Sequence, residues 1–298
     1  MGVQEAHLIL NPTANKGRAE SCRAKVSRYL EERGRAAVWH VTKGVGHAAK
    51  IVDGLSEDAL VVAVGGDGTV REVAAACTGT DRTLGVLPTG SGNDYVKALG
   101  VGTGLKRALG ILAAGNTRLV DAGEVNGVRF NNGLGIGFDA EVAAGVAEAP
   151  GYLGGFGRYL WSVGRLLWGF QCHEARFVLD GGRVIESNTI LVAAALGTTY
   201  GARFRLAPKA KLDDGMFDVI WSDKVNRTEL LRLLPRAFGD TLIEHPKVHM
   251  ARAKEIEVSL SEEVPAHVDG EMLDPTRNFH ARVLPGALRV IVPQSAPG

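Results

Sequence analysis

Cysteine is scarce in this chain: Cys22, Cys77 and Cys172 are odd in number, far apart and without a Cys-x-x-Cys pair. That pattern argues against a disulfide framework or a thiolate zinc site. It fits a reducing cytosol, with the three thiols serving as buried small hydrophobes. Net charge is nearly absent as well. With 34 Lys and Arg against 33 Asp and Glu, the formal charge is +1, so no global field draws the protein to nucleic acid or anionic lipid, and membrane attraction must be local. No basic segment followed by a long apolar stretch stands near Met1, so no secretory signal is expected. A long uncharged apolar run is also missing. Residues 151–170 come closest, but Arg158 and Arg165 interrupt them, and a charge at mid-membrane costs about 3 kcal/mol. Histidine and serine chemistry find little support. Pro246 spoils a helical metal pair of His245 and His249, and Ser91 lacks the Gly-x-Ser-x-Gly spacing of a nucleophile elbow.

What the chain does have is a hydrophobic content of 45% and a charged content of 22% over 298 residues, which suits a soluble protein of two domains. Up to about Asp121, short apolar runs alternate with helical patterns, which implies parallel βαβ units. Cys22, Val26, Tyr29 and Leu30 recur at helical spacing, and Gly44 to Ala49 reads as an ordinary helix start rather than a dinucleotide fingerprint. Beyond Val120 the texture turns to antiparallel β. Asn126-Gly127 marks a two-residue hairpin and Asp180 to Arg183 a second turn. Later strands are expected at residues 190–195, 217–221, 256–260 and 288–292. Helical insertions are expected over 152–170 and after Asn226, where Asn226 and Glu229 can form a capping box.

Three polar loops follow apolar runs in the first half. Leu60 to Val64 stops at Gly65-Gly66-Asp67-Gly68-Thr69, where glycines can take positive φ and let a backbone approach a polyphosphate. Asp67 there offers charge for a metal and Thr69 a hydroxyl. Leu84 to Leu87 leads to Pro88-Thr89-Gly90-Ser91-Gly92-Asn93-Asp94, a small-residue loop with a carboxylate at a helix start. His7 to Leu10 leads to Asn11-Pro12-Thr13-Ala14-Asn15-Lys16-Gly17-Arg18, in which Lys16 and Arg18 are cationic donors for phosphate. Three such loops at successive strand ends point to a phosphoryl site, with Asp67 and Asp94 facing a metal.

Together with Val120-Asp121, Phe138-Asp139, the segment Pro208 to Gly215 and Val268-Asp269-Gly270-Glu271, these loops resemble the diacylglycerol kinase catalytic domain. The likeness is to the soluble bacterial lipid kinases that share this domain with sphingosine and ceramide kinases. It extends along nearly the whole chain. The first loop departs from the family by carrying Thr13-Ala14-Asn15-Lys16 where Ser-Gly is usual. The resemblance implies an α/β N-terminal domain, a parallel sheet with flanking helices like that of NAD kinases and phosphofructokinases, over residues 1–124 and completed by about 284–298. It implies a mainly antiparallel β-sandwich lipid-substrate domain over residues 125–283.

The same resemblance implies an ATP-dependent lipid kinase using magnesium, most directly one converting diacylglycerol to phosphatidic acid. Sphingoid bases, phosphatidylglycerol and NAD are alternative acceptors, and a non-catalytic lipid-binding regulator is the non-enzymatic alternative. Nucleotide contacts are expected from Asn11, Lys16, Arg18, Gly65, Gly66, Gly68, Thr69, Thr89, Gly90, Ser91, Gly92 and Asn93, and a magnesium network from Asp67, Asp94 and Asp121. Asp269, supported by Glu271, matches the family's general base. Asp214, with carbonyls near Leu212 and Met216, matches a second, structural magnesium. The protein is expected to be cytoplasmic, with peripheral contact at the inner face of the membrane, because pulling two chains of roughly 16 carbons into water costs tens of kcal/mol. Tyr152, Phe156, Tyr159, Trp161 and Trp168, with Arg158 and Arg165 among them, read equally as an interfacial surface or as a core helix. The sequence leaves ATP or GTP preference and oligomeric state open, a homodimer included.

Overall fold

Valine-rich runs of the first third become parallel strands in the computed structural model, which describes residues 4–15, 17–199 and 204–294. The chain divides into two compact units, Met1–Asp121 with Gly286–Gly298, and Ala122–Pro285.

In the first unit, β1 (Gln4–Leu10) is followed by α1 (Arg18–Ser21) and α2 (Arg23–Glu31), β2 (Arg35–Val41) by α3 (His47–Asp53), and β3 (Leu60–Gly65) by α4 (Asp67–Cys77). Then β4 (Thr83–Pro88) is followed by α5 (Asp94–Ala98) and α6 (Leu105–Ala114). β1 lies between β2 and β3, and β3 pairs β4, all in parallel. Residues 286–291 return to add one more parallel strand, with Arg289 and Val290 opposite Thr83 and Leu84. All six residues of β3 are buried, as continuous apolar strands of a covered parallel sheet must be. Helix α2 buries Val26 and Leu30, and α4 buries Val70, Val73, Ala74 and Cys77. This order reverses between β1 and β3, and the crevice beyond the carboxyl ends of such neighbouring strands is where ligands of open α/β sheets bind.

β5 (Thr117–Val125) carries the chain into the second unit and turns at Asn126 (φ 47°) and Gly127 (φ 84°) into β6 (Val128–Phe130), the hairpin that the Asn-Gly pair predicts. Next come β7 (Gly133–Gly137), α7 (Phe138–Glu148) and α8 (Gly155–Leu166). The strands β8 (His173–Leu179), β9 (Arg183–Thr189), β10 (Leu191–Ala195) and β11 (Phe217–Ser222) precede α9 (Arg227–Ala237). Finally β12 (Val248–Ala253), β13 (Glu255–Val268) and β14 (Glu271–Ile291) close the unit, the last strand running on into the first. The order β12-β11-β10-β7-β13-β14 is antiparallel throughout, and β8 joins β9 to β13.

Asn226 caps α9 as a capping box: its side chain accepts the Glu229 N–H at 3.0 Å, and Glu229 accepts the Asn226 N–H at 2.8 Å. The helix buries Leu230, Leu233 and Ala237 in a core shared with Phe138, Ile190 and Phe204. The segment that sequence left between core and surface is divided. Tyr159, Val163 and Leu166 of α8 face that core, with Tyr159 stacked at 4.1 Å on Phe204, whereas Tyr152 and Trp168 are 87% and 76% exposed. Cys22 and Cys77 are buried as expected, but Cys172 is only half-buried.

Candidate active site

Asp67, at the start of α4, holds two loops of the first unit together. Its Oδ2 accepts the Asn93 N–H at 2.7 Å and its Oδ1 the Asp94 N–H at 2.8 Å. The glycines around it serve close approach rather than unusual dihedrals. Gly65, Gly66 and Gly68 are free to take positive φ, yet none of them does, and Gly66 is extended at φ −94°. Instead, a Cβ on Gly90 would lie 2.4 Å from Cα of Gly66, and one on Gly92 would lie 2.4 Å from Oδ2 of Asp67. The left-handed residue of these loops is Asn93, at φ 55°.

Burial pushes the Asp67 carboxyl up, and the charge of Asp94 adds to it. The Asp94 and Asn93 N–H bonds and Lys97 oppose this without cancelling it. Asp94 itself lies 3.1 Å from Lys97 Nζ. Thr89 Oγ1 and Asn93 Oδ1 are buried without a hydrogen-bond partner among the described residues. Two acids in mutual repulsion beside two buried oxygens lacking donors fit a cation carrying phosphate. Among the described residues no group of three or more His, Cys, Asp or Glu stands ready to hold a metal, so Asp67, Asp94 and Asp121 do not enclose an ion by themselves. Magnesium needs no such cage, because it usually binds one or two carboxylates and completes its shell with phosphate and water. Asp121 is buried, and its Oδ1 accepts the Gly286 N–H at 2.8 Å, tying the returning strand to the unit.

The first loop is an Asx turn, in which Asn11 Oδ1 accepts the Thr13 N–H at 3.1 Å and the Thr13 hydroxyl at 2.9 Å. Lys16 and the side chain of Arg18 lie outside the described residues. Thr69 is buried against Gly65, and Ser91 is exposed.

In the second unit, Asp269 occupies the two-residue turn between β13 and β14 at φ 51°, with Gly270 at φ 84°. A turn aspartate would point into solvent. This one accepts three amides from the loop before β7: Asn131 N–H at 2.8 Å on Oδ2, with Asn132 at 2.9 Å and Gly133 at 2.8 Å on Oδ1. Asn131 was not foreseen from sequence. It is 1% exposed, and neither atom of its side-chain amide has a partner in the described structure, an arrangement that costs about 1–3 kcal/mol per group unless a ligand completes it. The only sequence signal was an Asn-Asn pair ahead of a glycine-rich strand. His267, also unforeseen, stands two residues before Asp269 and is 5% exposed.

The second unit also holds a cavity with about 660 Å³ of empty space, part of it open to solvent. Its walls are almost wholly apolar, Phe138, Ile190, Phe204, Leu230, Leu233 and Leu242 among them, and Asp139, Tyr159 and Ser222 also line it. Burial, and then the Asp139 charge, push the Tyr159 hydroxyl well above the ordinary tyrosine value, which keeps it neutral. At Asp214 the structure shows Oδ1 accepting the Met216 N–H at 3.2 Å and the carboxylate paired with Arg252, which also reaches Asp218 at 3.5 Å. Asp214 is thus paired with a cation of the chain itself, and Leu212 is buried.

The exposed side of 151–170 carries two cation–π contacts, Arg165 over Trp161 at 5.3 Å and Arg227 over Trp168 at 5.1 Å. The side chain of Phe156 lies outside the described residues. No helix among the described residues is long and apolar enough to cross a membrane.

Residues 5–125 match the diacylglycerol kinase catalytic domain, and residues 133–292 match the YegS C-terminal NAD kinase beta sandwich-like domain. A Bacillus subtilis protein named diacylglycerol kinase is 31% identical over 276 residues, covering 90% of each chain. A crystal structure assigned as a diacylglycerol kinase of Bacillus anthracis is similar at TM-score 0.81 and 26% identity, covering 98% of this chain and 97% of the other. An NAD kinase from Archaeoglobus fulgidus in complex with ATP shares the fold at TM-score 0.53 and 11% identity, covering 97% and 93%. The expected fold class is borne out: a parallel α/β unit with an NAD kinase-like neighbour, and a mostly antiparallel β-sandwich unit.

Proposed function

Because the chain belongs to the diacylglycerol kinase family and is therefore a kinase, we propose that it transfers the ATP γ-phosphoryl group to a lipid hydroxyl, converting diacylglycerol to phosphatidic acid. The apolar cavity of the second unit carries the choice of acceptor. Its hydrocarbon walls suit an acyl chain and would leave the hydroxyls of NAD or a sugar without partners.

In the proposed reaction the lipid oxygen forms a bond to the γ-phosphorus as the bond from that phosphorus to the β–γ bridging oxygen breaks, and ADP leaves. The hydroxyl proton passes to the Asp269 carboxylate, which its three amide donors aim, and Glu271 follows it in the same turn. The Thr89 hydroxyl donates to a phosphate oxygen of the nucleotide, and Asn93 Oδ1, which only accepts, takes a donor from the nucleotide or its bound water, while Asp67 keeps their loop in register. Asp67 and Asp94 would hold magnesium, which when bound would supply neutralisation of the charge that phosphoryl transfer develops. The exposed rings of Tyr152 and Trp168, with Arg227 over the Trp168 ring, support peripheral contact with anionic lipid, the rings entering the interface and the Arg227 guanidinium meeting headgroups.

Labelled ATP offered with a total lipid extract, and separately with NAD, tests the reading, with products identified by mass spectrometry. Phosphatidic acid as the main labelled product is expected. Label on NAD alone, or none with any lipid, rejects it.

A further inference from the structure

The second unit contains a buried polar pair that the proposed reaction leaves without a role. His267 Nε2 lies 3.0 Å from Oδ2 of Asp139 in the first turn of α7, and His267 Nδ1 accepts the Gly270 N–H at 3.1 Å. A backbone N–H only donates, so Nδ1 must carry the lone pair and the ring proton sits on Nε2, aimed at the carboxylate. Gly135, the register partner of His267 on β7, makes room for the pair. A Cβ there would lie 2.3 Å from Oδ2 of Asp139 and 2.7 Å from Nε2 of His267. Since Asp139 also lines the apolar cavity, His267 bridges the cavity's polar edge and the Asp269–Gly270–Glu271 turn.

The charged groups facing this imidazole are Asp139 from α7 and Asp269 from the turn, and Tyr159 of α8 faces Asp139 in its turn. Burial resists protonation of His267, but the charge and hydrogen bond of Asp139, with the charge of Asp269, outweigh it and raise the pKa above the ordinary histidine value. Nδ1 is thus under two opposed demands. The carboxylates favour a proton on the ring, and the Gly270 amide requires a lone pair.

We propose that His267 is a positioning residue for phosphoryl transfer: neutral, it clamps Gly270 and Asp139 together and holds the Asp269 turn in its working orientation; protonated, it lets that turn go. The role in transfer rests on the lipid kinase reading, whereas the clamp itself does not. The sign of the stability effect follows from the raised pKa. The protonated pair with Asp139 contributes stability that is fully present below about pH 6.5, the unfolded histidine value, and is lost as pH rises through the folded value. Acid therefore steadies the fold here while slowing the reaction, two opposite trends that a merely structural histidine would not show.

Amide NMR of the full chain without substrate reads the clamp. The Gly270 resonance is expected to titrate with an inflection above about pH 6.5 and to lose that inflection in His267→Asn. A Gly270 resonance indifferent to pH overturns the switch, whatever the enzyme's substrate. Kinetics with diacylglycerol micelles read the positioning. His267→Gln keeps a donor near Nε2 but offers Gly270 no acceptor, whereas His267→Asn keeps an acceptor near Nδ1. We expect kcat to fall about 10- to 100-fold in the Gln variant with KM little changed, partial recovery in the Asn variant, and a flattened acid limb of kcat in both. Gly135→Ala, which forces the pair apart, should behave like the Gln variant. Equal kcat and unchanged acid limbs in all three variants overturn the positioning role. A wild-type chain that phosphorylates no lipid sinks the lipid kinase reading instead, and the role in transfer with it, while the NMR titration still judges the clamp.

Discussion

Asp67 and Asp269 each accept backbone N–H groups from a loop far off in sequence, two in the first unit and three in the second. Their surroundings differ. Asp67 is neighboured by a second acid, Asp94, and burial with that like charge raises its pKa, whereas Asp269 follows a histidine whose own pKa it helps to raise. One acid is thus short of a compensating cation, and the other stands beside a buried histidine already bonded to a second carboxylate. On the proposed reading the same device, a carboxylate tying two loops through amides, serves metal and phosphate in one unit and an alcohol in the other.

If that contrast is right, the two acids fail in different ways when neutralised. Asp269→Asn should lower kcat by about 10²- to 10⁴-fold, the usual worth of a general base, with nucleotide affinity unchanged in a direct binding titration. A loss under tenfold with the fold intact removes Asp269 from that role. Asp67→Asn should cost less in kcat at saturating magnesium, about 10- to 100-fold, but should raise the magnesium concentration needed for half activity. Asp67 also has a pH signature. An acid with a raised folded pKa binds its proton more readily when folded, so its contribution to stability falls as pH rises from the unfolded carboxylate range through the folded value. Magnesium with nucleotide should relieve that fall in the wild type and do little in Asp67→Asn. Identical metal dependence in the two proteins breaks the comparison.

How far the site could be read from sequence follows the same division. The parallel strands, the capping box at Asn226 and the hairpin at Asn126-Gly127 were legible because each is a local pattern with one cheap solution. The three loops were legible as glycine and carboxylate clusters, but the reason for the glycines was not. Crowding of Gly90 on Gly66 and of Gly92 on Asp67 involves residues more than twenty positions apart, and no local rule signals it. Asn131 and His267 escaped for the same reason, since their partners Asp269 and Asp139 lie more than a hundred residues away. Asp214 shows the converse: its magnesium role came from the family resemblance alone, and its pairing with Arg252, 38 residues on, had no local signal.

Gly92→Ala sharpens the contrast without altering a charge. The new methyl would meet Asp67 Oδ2 at 2.4 Å, so the loop must shift and strain the bonds from Asn93 and Asp94. Overpacking of this kind typically costs about 1–3 kcal/mol, and the loss should appear as a lower Tm and a weaker response to magnesium, with the second unit's Gly270 titration untouched. A matching change in that titration would mean that the two acids are not the separate devices described above.

The smallest effect is expected on the exposed face of the second unit. Tyr152→Ser with Trp168→Ser removes rings that are 87% and 76% exposed, so little packing is lost and stability should change by less than about 0.5 kcal/mol. Turnover of a short-chain diacylglycerol dispersed as monomers should be unchanged, because neither ring lines the cavity. Sedimentation with vesicles containing phosphatidylglycerol should weaken, since Trp168 also carries the stacked Arg227, whose N–H donates to the Trp168 carbonyl at 2.9 Å. If vesicle binding is unaffected while long-chain turnover falls, the rings act on the acceptor's route into the cavity rather than on the membrane. The peripheral contact would then have to be sought on another face of the protein.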